Sequence, residues 1–269
     1  MKKKAEPTQA ELAARVLLDA HRRKADFAPL PDDLEPRTFD AAYDIQDALV
    51  ALKSDAYGPV AGWKIALTTP QMRAMVGVND AIGGTLHREQ IQTSPGQVRA
   101  ADYVHLIVEF EVGVLLAEDL PAADAPYTRE RVAQAVGAVM PALEIADDWN
   151  ADYKTLAQHA RLLAADNAWN EGAVLGEPVT DWQGIDLAAT RGVATINGKV
   201  VGEGYGRDAM GHPFESVAWV ANHLARRKRG LWRGAVVITG SLVTSKFPVA
   251  GDAIRFELDA LGAVELKVE

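Results

Sequence analysis

Three glutamates and one lysine, each set among apolar neighbours, are the residues best suited to carry out a reaction. In Val108-Glu109-Phe110-Glu111-Val112 carboxylates alternate with hydrophobes. Side chains alternate faces along a strand, so Glu109 and Glu111 share one face, ~7 Å apart at Cβ, and the three hydrophobes share the other. A half-exposed strand with its glutamates in water shows the same alternation. A third acid favours a site. Glu144 stands in a second apolar segment, Met140-Pro141-Ala142-Leu143-Glu144-Ile145. If the two segments are neighbouring strands, three carboxylates converge, and protonation or a cation must relieve their repulsion. Oxygen donors without Cys or clustered His suit Mg²⁺ or Mn²⁺ rather than zinc. Lys64 lies in Gly62-Trp63-Lys64-Ile65-Ala66-Leu67-Thr68. A lysine partly desolvated near a metal can shift its pKa towards neutrality and transfer protons. The plainer alternative is a strand-end lysine that snorkels to water.

Other chemistry is excluded. The 269 residues contain no cysteine, which removes disulfides, thiolate zinc sites, iron–sulfur clusters and a cysteine nucleophile. A formal charge of −9 argues against nucleic-acid and anionic-membrane surfaces. G-x-S-x-G and H-E-x-x-H are absent. Gly202, Gly204 and Gly206 lack phosphate-loop spacing and read as a turn. The six histidines form no ligand spacing; His212, before Pro213, reads as a helix cap. The run His21-Arg22-Arg23-Lys24 reads as a solvated helix end. Met1-Lys2-Lys3-Lys4 is basic like the start of a signal peptide, but Glu6 and Glu11 fall where its apolar segment would have to lie. The stretch from Leu106 to Leu116 carries two glutamates and is too short to span a bilayer. A cytoplasmic location is expected.

Local signals mark the secondary structure around these residues. Helical spacing of Leu12, Val16, Leu17 and Ala20 opens the chain, and a second helix runs from an N-cap at Thr38 to a stop at Gly58-Pro59. Tyr103 to Leu116 reads as a strand. Thr128 to Val139 reads as a helix ended by Pro141, with a short strand from Ala142 to Ile145 after it. Tyr153 to Ala165 reads as helical. Asn197-Gly198 predicts a type I′ hairpin, and Phe214 to Arg229 an amphipathic helix. Strands at 236–238, 254–258 and 264–268 close the chain. Strand and helix do not alternate regularly, so a doubly wound sheet is not expected. The reading is a helical N-terminal region, residues 1–60, on a β-rich catalytic domain, residues 61–269.

Taken in order, the Lys64, Glu109/Glu111 and Glu144 segments resemble blocks of the fumarylacetoacetate-hydrolase superfamily. The branch is that of 2-keto-4-pentenoate hydratase and 4-oxalocrotonate decarboxylase, which degrade products of aromatic-ring cleavage. Tyr43-Asp44-Ile45-Gln46, Asp166-Asn167-Ala168, Gly211-His212-Pro213, Ala218-Trp219-Val220-Ala221-Asn222 and Pro248-Val249-Ala250-Gly251-Asp252 extend the resemblance from about residue 40 to the C-terminus. It implies an α+β fold: a mixed β-sandwich or β-roll catalytic domain with peripheral helices and a small helical N-terminal region. It implies Mg²⁺ (or Mn²⁺) held by Glu109, Glu111 and Glu144, with Lys64 as the proton-transfer residue. It places Thr68, Ile82, Asp166, Asn167, Trp169, Ser241 and Thr244 around the substrate. The implied activity is that of a lyase adding water to a 2-oxo (2-hydroxydienoic) acid through a metal-stabilised dienolate. A decarboxylase sharing that dienolate, an acylpyruvate-type hydrolase and a non-catalytic partner protein are the alternatives, in that order. A homo-oligomer is implied, one that can associate with a paralogous pathway enzyme.

Two positions depart from the hydratase pattern. Ile82 stands where hydratases of this branch tend to carry an acid, so water activation would need a substitute such as Asp80. Trp169 replaces a serine, which exchanges a small hydroxyl for a large ring and implies a reshaped pocket preferring larger or more apolar acids.

Overall fold

A computed structural model describes residues 6–269, so the basic stretch at residues 1–4 lies outside the described residues. The chain opens with helix α1 (Gln9–Arg22), started by a capping box between Thr8 and Glu11, and helix α2 (Phe39–Tyr57). Thr38 caps α2 by accepting from the Ala41 amide, and Gly58 stops it at φ 73°, as the sequence predicts. Next come strand β1 (Val60–Ala66), helix α3 (Pro70–Val76), and strands β2 (Ile82–His87), β3 (Ile91–Thr93) and β4 (Gly96–Val98). The long strand β5 (Leu106–Leu116) precedes helix α4 (Arg129–Ala135) and the similarly long β6 (Val136–Asp147). After them come helix α5 (Ala160–Ala165), β7 (Asn170–Leu175), the hairpin β8 (Arg191–Ile196) and β9 (Lys199–Tyr205), and helix α6 (Pro213–Arg226). Strands β10 (Val236–Ile238), β11 (Val243–Lys246), β12 (Ala253–Leu258) and β13 (Gly262–Val268) complete the chain.

The strands form two mixed sheets. The larger runs β2-β1-β10-β5-β6-β7-β3, with β11 also pairing β5; the smaller runs β4-β13-β12-β8-β9. One face of β5 and β6, with Val108, Phe110, Val112, Leu143 and Ile145, packs in the same core as Ile254, Phe256, Val264 and Leu266 of the smaller sheet. Phe110 and Phe256 meet edge to face at 5.4 Å. The opposite face, with Ile107 and Ala146, joins a second core built from α1, α2 and α5. The glutamate face of β5 is therefore roofed by helices rather than open to water. No helix among the described residues is long and apolar enough to cross a membrane.

Three local expectations are corrected. Residues Val136 to Val139 are strand, not helix, and Pro141 lies inside β6. That strand is buried on both faces, so it shows no period-two alternation, and Pro141 sits where β7 has ended, its carbonyl accepting from the Gly176 amide at 2.8 Å. Gly202 and Gly204 lie within β9 rather than in a turn; a Cβ at Gly204 would run into the Leu242 carbonyl oxygen. Their lack of side chains admits the segment that carries Ser241 to Ser245. Finally, His21 does not share the solvated end of α1 with its basic neighbours. It is half-buried, stacked on Trp149 at 4.3 Å, with Nε2 2.8 Å from Asp166 Oδ1.

Candidate active site

The pairing of β5 with β6 sets Glu109 directly across from Glu144, while Glu111 lies across from Ala142. Oxygen atoms of Glu109, Glu111 and Glu144 all fall within 4.8 Å of one another. Glu111 and Glu144 are fully buried, and Glu109 is partly exposed to a cavity. Each carboxylate is oriented by a neighbour. The Gly240 amide donates to Glu111 Oε2 at 2.6 Å, from a backbone at φ 99° that favours glycine. Asn170 Nδ2 donates to Glu144 Oε1 at 3.0 Å, and Ser245 Oγ donates to Glu109 Oε1 at 2.5 Å. Glu111 Oε1 and Glu144 Oε2 are buried without any hydrogen-bond partner. Two unpartnered carboxylate oxygens in one cluster, with a third carboxylate beside them, are the donor set a hard divalent cation requires. The residues fit such an ion.

Lys64 is mid-strand and buried, which excludes the snorkelling alternative. Its Nζ lies 2.9 Å from Glu144 Oε1 and 3.3 Å from the Ala168 carbonyl oxygen, to which it donates. Gly84, paired with Lys64 across β1 and β2, leaves room for the lysine stem. A Cβ there would meet the Asn167 carbonyl oxygen at 2.6 Å and Lys64 Cγ at 3.0 Å. Burial pulls the Lys64 pKa down, but Glu144, Glu109 and Glu111 outweigh it, and the ammonium sits above the ordinary lysine value. The carboxylates alone thus oppose the shift towards neutrality expected from the sequence; that shift requires a cation to take up their charge. Burial and the neighbouring glutamates push Glu111 well above the usual carboxyl range. Burial also raises Glu144, with Lys64 acting in opposition.

The Ala168 carbonyl reaches Lys64 through an uncommon turn. Asn167, Ala168 and Trp169 are consecutive left-handed residues at φ 54°, 48° and 62°. Such backbone costs roughly 1–2 kcal/mol per residue and persists only where its surroundings impose it. Here Asn167 Oδ1 accepts from the Thr85 amide at 2.7 Å, and its Nδ2 donates to the Thr85 carbonyl at 3.0 Å. On one side of the turn Asp166 faces His21; on the other, Lys53 donates to Glu171 Oε1 at 2.8 Å. Both His21 and Lys53 come from the N-terminal helices, which therefore hold the turn against the site. Replacing Glu171 with alanine leaves Lys53, only 4% exposed, without its partner. A loss of ~3–5 kcal/mol is expected. Urea titration measures it, and an unchanged midpoint would show that the pair does not hold the turn.

A cavity of about 510 Å³ adjoins the cluster. Lys64, Glu109, Thr68, Ser241, Thr244 and Ser245 line its polar side, and Trp169 forms part of its wall. The other three residues expected around a substrate do not line it. Ile82 is buried in the core shared with α1 and α2. Asp166 is turned to His21, and the Asn167 side chain is spent on Thr85, because the left-handed turn sends these two inward while directing Trp169 to the cavity. Asp80 does not replace an acid at Ile82. Its Oδ1 accepts from Trp219 Nε1 at 2.6 Å, in a separate groove. Asn170, Ser245, Gly240 and the Ala168 carbonyl are not singled out by the sequence. Ala168 lies in the Asp166-Asn167-Ala168 block and Asn170 just after it, while Gly240 and Ser245 adjoin Ser241 and Thr244, so the signal is near each of them without marking the group that acts.

The fold has known counterparts. A solved structure of 4-oxalocrotonate decarboxylase from Pseudomonas putida G7, complexed with calcium and acetate, superposes with a TM-score of 0.87 at 27% identity, covering 99% of this chain and 100% of the other. The same enzyme complexed with magnesium and adipate gives 0.87 at 26%. The 2-hydroxyhexa-2,4-dienoate hydratase of Comamonas testosteroni is 30% identical over 260 residues, 96% of each chain. The 2-keto-4-pentenoate hydratase of Paraburkholderia xenovorans is 28% identical over 267 residues, 98% of this chain and 96% of the relative. The profile of the fumarylacetoacetate (FAA) hydrolase C-terminal family matches residues 64–269. With the carboxylate cluster and Lys64 inside that span, the chain belongs to the fumarylacetoacetate hydrolase family.

Proposed function

We propose that the protein is a divalent-metal-dependent lyase that adds water to a 2-oxo (2-hydroxydienoic) acid, as the 2-keto-4-pentenoate hydratases do. The observation that carries this reading is Lys64 Nζ in contact with one of three convergent carboxylates, at the polar end of a cavity. Glu109, Glu111 and Glu144 would hold Mg²⁺ or Mn²⁺, which when bound supplies Lewis-acid stabilisation of negative charge on a substrate oxygen. Glu144 and the Ala168 carbonyl fix the Lys64 side chain beside the cavity, where its ammonium can deliver a proton to a substrate carbon and, once the carboxylate charge is balanced, its neutral amine can take one from it. Thr68, Ser241 and Thr244 offer polar groups for the substrate carboxylate. Ile107, Ala146, Leu163 and Trp169 exclude water from the other wall. We also propose a cytoplasmic homo-oligomer.

Decarboxylation is the second reading, supported by one observation. With Asp80 turned away and Ile82 buried, neither of the two positions considered for a water-activating acid brings a carboxyl group to the cavity. A dry wall destabilises a carboxylate and favours its departure as CO₂. The two are separated by incubating Mg²⁺-loaded protein with 2-hydroxypenta-2,4-dienoate and with 4-oxalocrotonate. Water uptake is monitored by loss of ultraviolet absorbance, CO₂ by a coupled assay. Hydration with little CO₂ is expected; release of CO₂ without hydration reverses the order, and neither activity overturns the lyase reading.

A further inference from the structure

The far side of the cavity is built unlike its polar end. Among the described residues, the only charged one in its lining besides Glu109 and Lys64 is Asp208, so a second anionic group on a substrate would meet no cation of theirs there. The rest of its wall includes Leu156, Leu163, Val76 and the Trp169 ring. Its rim carries Met72, Met75, Tyr153 and Phe247, exposed by 41%, 42%, 38% and 51%. Four large apolar side chains left in water around one cavity mouth cost free energy unless something covers them. The aromatic pair is held in place. Phe247 stacks on His105 at 4.6 Å, His105 Nδ1 lies 2.8 Å from Asp148 Oδ1, and the Tyr153 hydroxyl donates to the other oxygen of Asp148 at 2.9 Å. Trp169 packs edge to face against Tyr153 and Phe27 at 6.1 and 5.6 Å. The two methionines supply the adaptable side. At about 510 Å³ the cavity falls within the ~300–1,000 Å³ of sites that enclose drug-sized ligands, far more than a five-carbon acid fills.

We propose that the substrate is a 2-oxo acid whose end remote from its carboxylate bears an uncharged apolar group larger than methyl, laid against Trp169, Met72, Met75, Tyr153 and Phe247. This rests on the lyase reading for its head group and is independent of it for its tail. Continuity of the rim with the polar end of the same cavity identifies the occupant as the substrate itself.

The test has a binding arm and a turnover arm. Saturated 2-oxo acids of increasing length, which offer no double bond to hydrate, are titrated calorimetrically into Mg²⁺-loaded protein. Each added methylene should lower Kd about four-fold until the cavity is full. The heat-capacity change should grow more negative in step. Met75→Gln, an exposed change that does not load the fold, should flatten this dependence while leaving pyruvate binding as it was. In the turnover arm, 2-hydroxy-2,4-dienoates bearing hydrogen, methyl, butyl or phenyl at C5 are compared by kcat/KM. The larger substituents should be preferred, and Trp169→Ser should return preference to the unsubstituted acid. Length-dependent binding with no turnover of any dienoate would sink the hydratase reading and keep the apolar subsite. Turnover that is best for the unsubstituted acid, with binding indifferent to length, overturns the subsite. If Met75→Gln changes only the sedimentation of the protein, the rim is a contact between copies of the chain and the proposal also fails.

Discussion

Replacing Glu144 with glutamine is expected to abolish turnover while leaving the circular dichroism spectrum unchanged. The amide keeps the size of the side chain but gives up the charge and the unpartnered oxygen that make Glu144 a ligand. Affinity for Mg²⁺ or Mn²⁺ should fall by more than the ~10–100-fold typical of losing an outer partner of a metal ligand. Glu109→Gln should behave alike. Retained activity after exhaustive EDTA treatment, or unaltered Mn²⁺ binding in these variants, would refute the ligand assignment. Glu111 adds a pH dependence whose sign is fixed. Its folded pKa lies well above the ordinary 4.5, through burial and then Glu144 and Glu109. Its contribution to stability is therefore fully present below about pH 4.5 and is lost as pH rises through the folded value, because the native state must give up a proton it prefers to keep. In EDTA, Tm should fall over that interval, whereas Glu111→Gln should flatten the fall. A bound cation compensates the charge, so the loaded protein should lack the decline and binding should release protons. Matching Tm profiles for wild type and Glu111→Gln in EDTA would contradict this account of the cluster.

How much of the molecule was legible in the sequence depended on the range of each signal. Helix α2 is bounded by its own Thr38 and Gly58, and the β8–β9 hairpin by Asn197 and Gly198 at φ 53° and 75°; all four act locally. Strands β12 and β13 are half-exposed and keep strict alternation, so their period survives. The start of β6 is buried on both faces and loses it. Convergence of the three glutamates was readable because two share a strand face and the third lies in a segment long enough to pair with it. Inward rotation of Asp166 and Asn167 was not, because three successive left-handed residues without glycine have no local signature. Tertiary bonds to Thr85 and the side-chain pairs His21–Asp166 and Lys53–Glu171 from α1 and α2 impose that turn. The partners of the carboxylates, Gly240 and Ser245 on one side and Asn170 on the other, come from segments distant in sequence from the groups they hold.

Lys64→Met should lower kcat by the ~10²–10⁴-fold characteristic of a missing acid–base group. The same change frees Glu144 Oε1 from its 2.9 Å contact and removes a positive charge from beside three carboxylates. Divalent-ion affinity should therefore be kept or increased, which separates this variant from Glu144→Gln. Without the ion, the variant has buried carboxylates and no cation, and should lose ~3–5 kcal/mol of stability that Mg²⁺ restores. Lys64→Arg keeps the charge but not the fit, since Gly84 and the Asn167 carbonyl already crowd the lysine stem, and it should not rescue turnover. Because the uncompensated carboxylates hold the ammonium above its ordinary value, Lys64 is a proton donor while no cation balances them. It becomes a base only once their charge is neutralised, so the acid limb of kcat/KM against pH should move with divalent-ion concentration. Near-normal turnover in Lys64→Met, with Mg²⁺ saturating, would reduce Lys64 to a structural counter-charge for Glu144.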